Sequence, residues 1–278
     1  MVDSGQRERL QGADPIPPLA ETEQRNLIPA FFYPDFTHQN SRWQRMVDNA
    51  RPDSLIVINP NSGPGSGRDV NYVHAIDDCR ARGLKVIGYI RTRRGTVPLR
   101  PTYAWMLGRR TKNVVEQIDA YRSWYPKMAG VFLDEMNLDA QDRAVERRGF
   151  FTHYTTVEQY HAGIKAEVRK RTQQTIVGNP RDVSGSHGDW AFDAVDVLVV
   201  QEAGESRYLS WTPPDWVYPG TNRAHAYRIA HLVHGVTNER EVAEASRARH
   251  AGYVYITDET GSSPDQLWNE VPRSWRLK

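Results

Sequence analysis

The chain has one cysteine, Cys79, so no intramolecular disulfide can staple it. Cys79 falls within a helical pattern, where its expected role is that of a small core residue. No apolar run is long enough to span a bilayer. Met1 to Ala20 is polar and proline-containing, without the apolar centre of a secretory signal. As written, the chain is expected to stay in the cytoplasm, or to be secreted if a leader has been trimmed from it. Charge of one sign is also scarce. Lys+Arg 36 against Asp+Glu 34 leaves a net charge of +2, too little to make nucleic acid or a membrane the main partner.

Several motifs are missing as well. Gly63-Pro64-Gly65-Ser66-Gly67 looks like a phosphate loop but lacks the Lys-Ser/Thr ending, and its proline removes a needed N–H. It reads better as a tight turn. His225, His231 and His234 have no acid or cysteine at ligand spacing, so structural histidines are expected and no metal or cofactor. A Ser-His-Asp site has no nucleophile-elbow sequence.

What remains is ordinary for a globular protein: 39% hydrophobic and 25% charged residues, with a mean hydropathy of -0.67. The 278 residues allow one large α/β barrel or two smaller domains. Residues 1–25, with Pro15-Ile16-Pro17-Pro18, read as a flexible arm, and 26–278 as the catalytic domain. From Leu27 a unit of apolar run, polar or Gly/Pro turn and helical pattern recurs. The predicted strands are Leu27–Tyr33, Ser54–Asn59, Leu84–Ile90, Gly130–Asp134, Gln174–Asn179, Val195–Glu202, Ala224–Ile229 and Gly252–Thr257. Helical spacing links Trp43, Met46, Val47 and Ala50, then Val73, Ile76 and Cys79, then Val115, Ile118 and Tyr121. A helix over Val157–Arg171 is expected to carry a capping box of Thr155 and Glu158, and another spans Glu239–His250. Eight such units in about 250 residues predict a single closed (β/α)8 TIM barrel rather than an open sheet.

A barrel of this kind gathers its chemistry at the carboxyl ends of its strands. Those ends read Tyr33/Asp35, Asn59, Tyr89/Arg91, Asp134/Glu135, Asn179, Gln201/Glu202 and Thr257/Asp258. Polar residues follow the strands of any sheet. Glu202, however, ends a nearly unbroken apolar run, where partial desolvation favours a neutral acid.

These residues also carry a family likeness. Ile28-Pro29-Ala30-Phe31-Phe32-Tyr33-Pro34, Ile58-Asn59-Pro60-Asn61-Ser62-Gly63-Pro64-Gly65, Gly88-Tyr89-Ile90-Arg91-Thr92, Val131-Phe132-Leu133-Asp134-Glu135, Gly178-Asn179-Pro180 and Glu202 occur in that order. In them the chain resembles the spherulin-4 (spherulation-specific) family and its allied glycoside hydrolases, over nearly its whole ordered length. The resemblance implies a (β/α)8 barrel, endo-acting hydrolysis of N-acetylgalactosamine-containing polysaccharide, and Asp134, Asn179 and Glu202 as active-site positions. Two features depart from the family: no leader is visible, and the loop after Tyr89 is enlarged and basic, with Arg91, Arg93, Arg94, Arg100, Arg109, Arg110 and Lys112. That loop is either a solvated face or a cover over the barrel mouth that selects an anionic substrate.

Glycoside hydrolysis needs two carboxyl groups flanking the scissile bond. The expected pair is Glu202 as general acid/base and Asp134 as nucleophile or charge stabiliser, with those roles reversible. Strand alternation sends Glu135 away from Asp134, as a supporting acid. Asn59 and Asn179 are candidates to hydrogen-bond sugar hydroxyls, Tyr33 and Tyr89 to hold a carboxylate or pack on a ring, and Arg91 to bind substrate. Trp211 and Trp216, in Trp211-Thr212-Pro213-Pro214-Asp215-Trp216, and Trp105 are either packing anchors or sugar platforms. Two other functions stay open: proton-transfer chemistry on a non-glycan, anionic substrate by the same carboxylates, and glycan binding without catalysis.

Overall fold

A computed structural model of the chain describes residues 19–35, 41–100, 113–148, 151–170, 175–181, 183, 188–217 and 223–276. Eight parallel strands close into a barrel. In chain order the strands are β1 (Arg25–Ala30), β2 (Leu55–Ile58), β3 (Lys85–Arg91), β4 (Gly130–Asp134), an inserted antiparallel hairpin of β5 (Arg143–Arg147) and β6 (His153–Thr156), then β7 (Thr175–Asn179), β8 (Val197–Gly204), β9 (Ile229–His234) and β10 (Tyr253–Ile256). Around the barrel the order is β1-β10-β9-β8-β7-β4-β3-β2, and β1 pairs with β2 to close it. This is the expected (β/α)8 TIM barrel.

The apolar runs fold this way because both faces of each strand are covered. All four residues of β2, Leu-Ile-Val-Ile, are buried, as strands between a packed barrel interior and a helical layer must be. The outer layer comprises α1 (Arg42–Asn49), α2 (Val70–Ala81), α3 (Val114–Trp124), α4 (Val157–Arg169), α5 (Ala191–Ala194), α6 (Glu205–Ser210), α7 (Glu239–Ala248), α8 (Pro264–Leu267) and α9 (Arg273–Arg276). Trp43, Met46 and Val47 bury one face of α1, and Tyr72, Ala75, Ile76 and Cys79 one face of α2. The free thiol of Cys79 is buried, as its helical position implied. Side-chain oxygens satisfy the first-turn amides: Ser41 caps α1, Asp69 caps α2, Asn113 caps α3 and Asn238 caps α7.

Several expectations are corrected. Strand seven of the barrel is Ile229–His234, not Ala224–Ile229; residues 223–228 form a 3-10 turn instead. The capping box of α4 is Thr156 with Gln159, one residue later than Thr155 with Glu158. Of the expected arm, residues 1–18 lie outside the described residues, and within 19–25 Leu19 and Gln24 are buried while residues 20–22 are exposed. The Gln24 amide donates to Ser246 Oγ at 3.0 Å and to the Ala251 carbonyl at 2.8 Å. The β5–β6 hairpin has no counterpart among the predicted strands, because its apolar content is confined to Ala144 and Val145 of β5 while β6 has no buried residue.

Candidate active site

Four strands bring their ends together. Asp134, the last residue of β4, stands in register with Asn179, the last of β7, and with Arg91, the last of β3. Glu202 comes from β8 and Tyr89 from β3. The Asn179 amide is the link: its Nδ2 donates to Asp134 Oδ1 at 3.0 Å and to Glu202 Oε2 at 2.6 Å. Its Oδ1 accepts from the Arg181 amide at 2.9 Å, so the hydrogen-bond network itself fixes which end of the side chain faces the carboxyls. Tyr89 Oη donates to Asp134 Oδ2 at 2.7 Å, and Trp268 lines the same pocket as Glu202, where its side chain favours the Glu202 carboxylate. Asp134, Asn179, Glu202 and Trp268, with Phe31, Phe132 and Arg181, line a narrow cleft of about 10 Å³.

The carboxyls here have opposite tendencies. Asp134 is 4% exposed, and burial raises its pKa despite the Tyr89 hydrogen bond and the charge of Arg181. Burial also raises the pKa of Glu202, against the Asn179 bond; the nearby Asp134 charge raises it further. Glu135 behaves differently. Burial opposes its ionisation, but the Arg91 bond and the charges of Arg91, Arg181 and Arg93 outweigh it and hold the carboxyl below the usual range. Glu135 is therefore a fixed anion, while Asp134 and Glu202 are a coupled pair inclined to keep a proton.

The backbone around them is strained. Arg93, Arg94, Glu135 and Arg181 all take left-handed conformations, with φ of 47°, 54°, 55° and 67°. Non-glycine residues there cost about 1–3 kcal/mol each and persist only where the surroundings over-determine them. The surroundings do so here. The Thr92 amide donates to the Asp134 carbonyl at 2.9 Å, and Thr92 Oγ1 bonds the carbonyls of Asp134 and Glu135, both at 2.8 Å. The Arg94 amide donates to the Glu135 carbonyl at 2.8 Å and the Met136 amide to the Asn179 carbonyl at 3.0 Å.

Tyr89, Asp134, Asn179 and Glu202 are thus brought together as expected, with Arg91 and Glu135 beside them, paired at 2.6 Å. Glu135 is turned away from Asp134, but not through strand alternation: β4 ends at Asp134, and the left-handed turn carries Glu135 along the rim to Arg91. Tyr33 and Asn59 make their bonds elsewhere. Tyr33 lies beyond the end of β1, donates to Asp69 Oδ2 at 2.9 Å and accepts from Asn71 Nδ2 at 2.8 Å. Asn59 Oδ1 accepts from the Gly63 amide at 3.1 Å and shapes the turn there.

Trp211 is away from the site altogether. Short α6 turns the chain back over the outside of the barrel, where Trp211 packs edge-on against His231 at 5.7 Å and under the Arg249 guanidinium. His231 alternates along β9 with pocket-lining Leu232 and so faces outward. It shares a 2.8 Å hydrogen bond with Tyr208, and burial pushes its pKa down to about 3. His234 packs edge-on against Trp268 at 6.0 Å; the His225 side chain is outside the described residues. Trp216 packs edge-on against Phe192. Arg100 turns away from the mouth to Glu146 and Glu167, at 3.4 and 2.9 Å. Trp105, Arg109, Arg110 and Lys112 lie outside the described residues.

Sequence reasoning missed Arg181 and Trp268. Arg181 directly follows the Asn179-Pro180 dipeptide, whose end-of-strand position was a usable signal. Trp268 comes from the segment after the last strand, and nothing in its sequence points to the mouth.

Known proteins resemble the chain over most of its length. Spherulin-4 of Physarum polycephalum is 26% identical over 245 residues, which cover 84% of this chain and 62% of that protein's length. The crystal structure of Aspergillus clavatus Sph3 in complex with GalNAc superposes with a TM-score of 0.64 at 18% identity, covering 91% of this chain and 95% of that one; at that identity the likeness is one of fold. The model of spherulation-specific family 4 matches residues 25–277, from the first residue of β1 to the penultimate residue, and the chain belongs to that family.

Proposed function

We propose that this protein is an endo-acting glycoside hydrolase that cleaves an amino-sugar-containing polysaccharide with Asp134 and Glu202. The observation that carries the reading is the Asn179 bridge. Its two bonds, 3.0 and 2.6 Å, share one nitrogen, so the bonded carboxyl oxygens lie at most about 5.6 Å apart. The roughly 120° between the two N–H directions of an amide brings them to about 5 Å. Retaining glycosidases hold their carboxyls about 5–5.5 Å apart, and inverting ones need about 6.5 Å or more to admit a water. The amino-sugar assignment draws on the family and on the GalNAc held by Sph3.

In this mechanism Asp134 is the nucleophile. Tyr89 and Asn179 donate to its two oxygens, and Arg181 lies 3.8 Å away; all three favour the carboxylate. Glu202 is the proton donor, with burial and the neighbouring Asp134 charge favouring its acid form. As Asp134 attacks the anomeric carbon, Glu202 gives its proton to the departing glycosidic oxygen. The resulting Glu202 carboxylate then deprotonates the water that releases the sugar from Asp134. The test is reducing-end release from galactosamine- and N-acetylgalactosamine-containing polymers, with the first-formed anomer followed by NMR. The expected product keeps the configuration of the cleaved bond. No release from any amino-sugar polymer overturns the hydrolase reading, and an inverted first product overturns Asp134 as nucleophile.

Protonation gives a second check. A carboxyl whose folded pKa is raised stabilises the fold below its unfolded pKa, near 3.9 for Asp. That contribution is lost as pH rises through the folded value. Asp134→Asn is therefore expected to raise the unfolding midpoint more at pH 7 than at pH 3, where both states are protonated. Equal shifts at the two pH values, in parallel thermal melts, would show that burial of Asp134 does not disfavour its charge.

A further inference from the structure

Beside the acid/base pair lies a group of arginines, of which Arg181 lines the pocket and acts on Asp134 by charge. On the Asp134 side, Arg91, Arg93 and Arg181 surround Glu135, and all three lower its pKa. Glu135 hydrogen-bonds only one of them, through Arg91 Nη2 at 2.6 Å. Arg181 lines the pocket but sits 3.8 Å from Asp134 and 3.9 Å from Glu135, beyond hydrogen-bonding distance. The Nε atoms of both Arg91 and Arg181 are buried without a hydrogen-bond partner, so the protein does not fully satisfy either guanidinium. Arg93 is exposed and reaches Glu135 by charge alone. Left-handed backbone at Arg93, Glu135 and Arg181 turns these side chains to the same rim.

The charges do not cancel. Three guanidinium groups face Glu135 and a carboxyl pair that carries one negative charge when poised for acid/base catalysis, leaving an excess of positive charge beside the nucleophile. That excess disfavours the cationic amine of a deacetylated amino sugar and favours an anion. A planar fork with unused N–H donors suits a sugar carboxylate, which it can grip with two parallel bonds.

We propose that Arg181, with Arg93 at its side, forms a subsite for a carboxylate-bearing sugar adjoining the bond that is cleaved, so that the substrate is an acidic glycan in which a uronate neighbours the amino sugar. This rests on the glycan-hydrolase reading, and the experiment separates the two. Binding is measured by calorimetry on the full chain carrying Glu202→Gln, which holds oligosaccharides without turning them over. The probes are a uronate-containing amino-sugar oligosaccharide, the same oligosaccharide with its carboxylates reduced to alcohols, and a fully deacetylated galactosamine oligomer.

The acidic oligosaccharide is expected to bind about ten-fold more tightly than its reduced form, with the advantage shrinking as salt rises. Adding Arg181→Gln removes most of the advantage, Arg181→Lys keeps part of it, and Arg93→Gln lowers it about three-fold. Arg93→Gln lies at an exposed position, so it tests the subsite even if Arg181→Gln disturbs the fold. Equal binding of the acidic and reduced forms, tighter binding of the cationic oligomer, or a preference that survives both substitutions overturns the proposal. If wild-type protein cleaves neutral amino-sugar polymers while no acidic preference exists, the subsite fails and the hydrolase stands. If the preference holds but no glycan is cleaved, the subsite stands and the hydrolase reading falls.

Discussion

Glu202→Gln and Asp134→Asn are each expected to lower turnover by about 10³-fold or more while leaving the barrel folded. A positioned general acid contributes roughly 10²–10⁴-fold, and loss of a nucleophile removes the covalent route entirely. The two variants are expected to fail differently. Without the Asp134 carboxylate neither chemical step has its partner at the anomeric carbon. Without the Glu202 proton the first step still proceeds on a substrate whose leaving group needs no protonation. On an activated aryl glycoside Glu202→Gln is therefore expected to keep much of its kcat/KM, which reports the first step. Its kcat is expected to fall because the second step has lost its base, and its pH profile to lose the basic limb. Steady-state kinetics on a natural polymer and on the aryl glycoside, beside circular dichroism of each variant, make the comparison. Full activity of either variant on the polymer would sink the assignment.

Gly130→Ala is expected to be the most damaging small change in the fold. Gly130 opens β4 and pairs with Thr175 of β7. A Cβ there would lie 1.9 Å from the Thr175 carbonyl oxygen. Overpacking ordinarily costs about 1–3 kcal/mol because side chains can shift. Here the obstacle is backbone, held in place by ladder bonds on both sides, since the Ala129 amide donates to the Val86 carbonyl at 2.7 Å and the Thr175 amide to the Ala129 carbonyl at 2.8 Å. The cost is expected to exceed about 3 kcal/mol, enough for the variant to unfold at a much lower denaturant concentration or to accumulate as insoluble protein. Gly67→Ala, where nothing lies within 4 Å of the added methyl, serves as the control and is expected to be near neutral. A Gly130→Ala protein with wild-type stability would mean that β4 and β7 are not held in this register.

The sequence made the barrel legible because most of its strands are covered on both faces and so are written as apolar runs. Where that reason lapses, so does legibility. The seventh barrel strand contains His231 and His234, which break the run. His231 is tolerated in the wall because Tyr208, from the preceding helix, shares a hydrogen bond with it, a pairing no local pattern announces. The hairpin after β4 escaped notice because Arg143, His153 and Tyr154 are exposed and no alternation is imposed on them. The site divided in the same way. Asp134, Asn179 and Glu202 stand at the ends of apolar strands, where periodicity places them among other polar residues, and the family resemblance singled them out. Arg181 matters because of one backbone dihedral, and Trp268 because the chain's last segment folds back across the mouth. Trp211 misled because an aromatic, proline-rich stretch says that a ring is anchored without saying on which side of the wall.

The left-handed residues at the rim put this protein's stability and its selectivity in opposition. Glycine would occupy the backbone of Arg93, Arg94, Glu135 or Arg181 with less strain than the residue each position holds. Selection for heat resistance alone would therefore drift toward glycine at those positions. It would yield a sturdier barrel with an electrically blank mouth, able to survive where the present protein melts and unable to tell one polymer from another. Any lineage that keeps charged side chains on those turns is under pressure from what it binds, and comparing these positions among heat-adapted relatives would show which pressure prevailed.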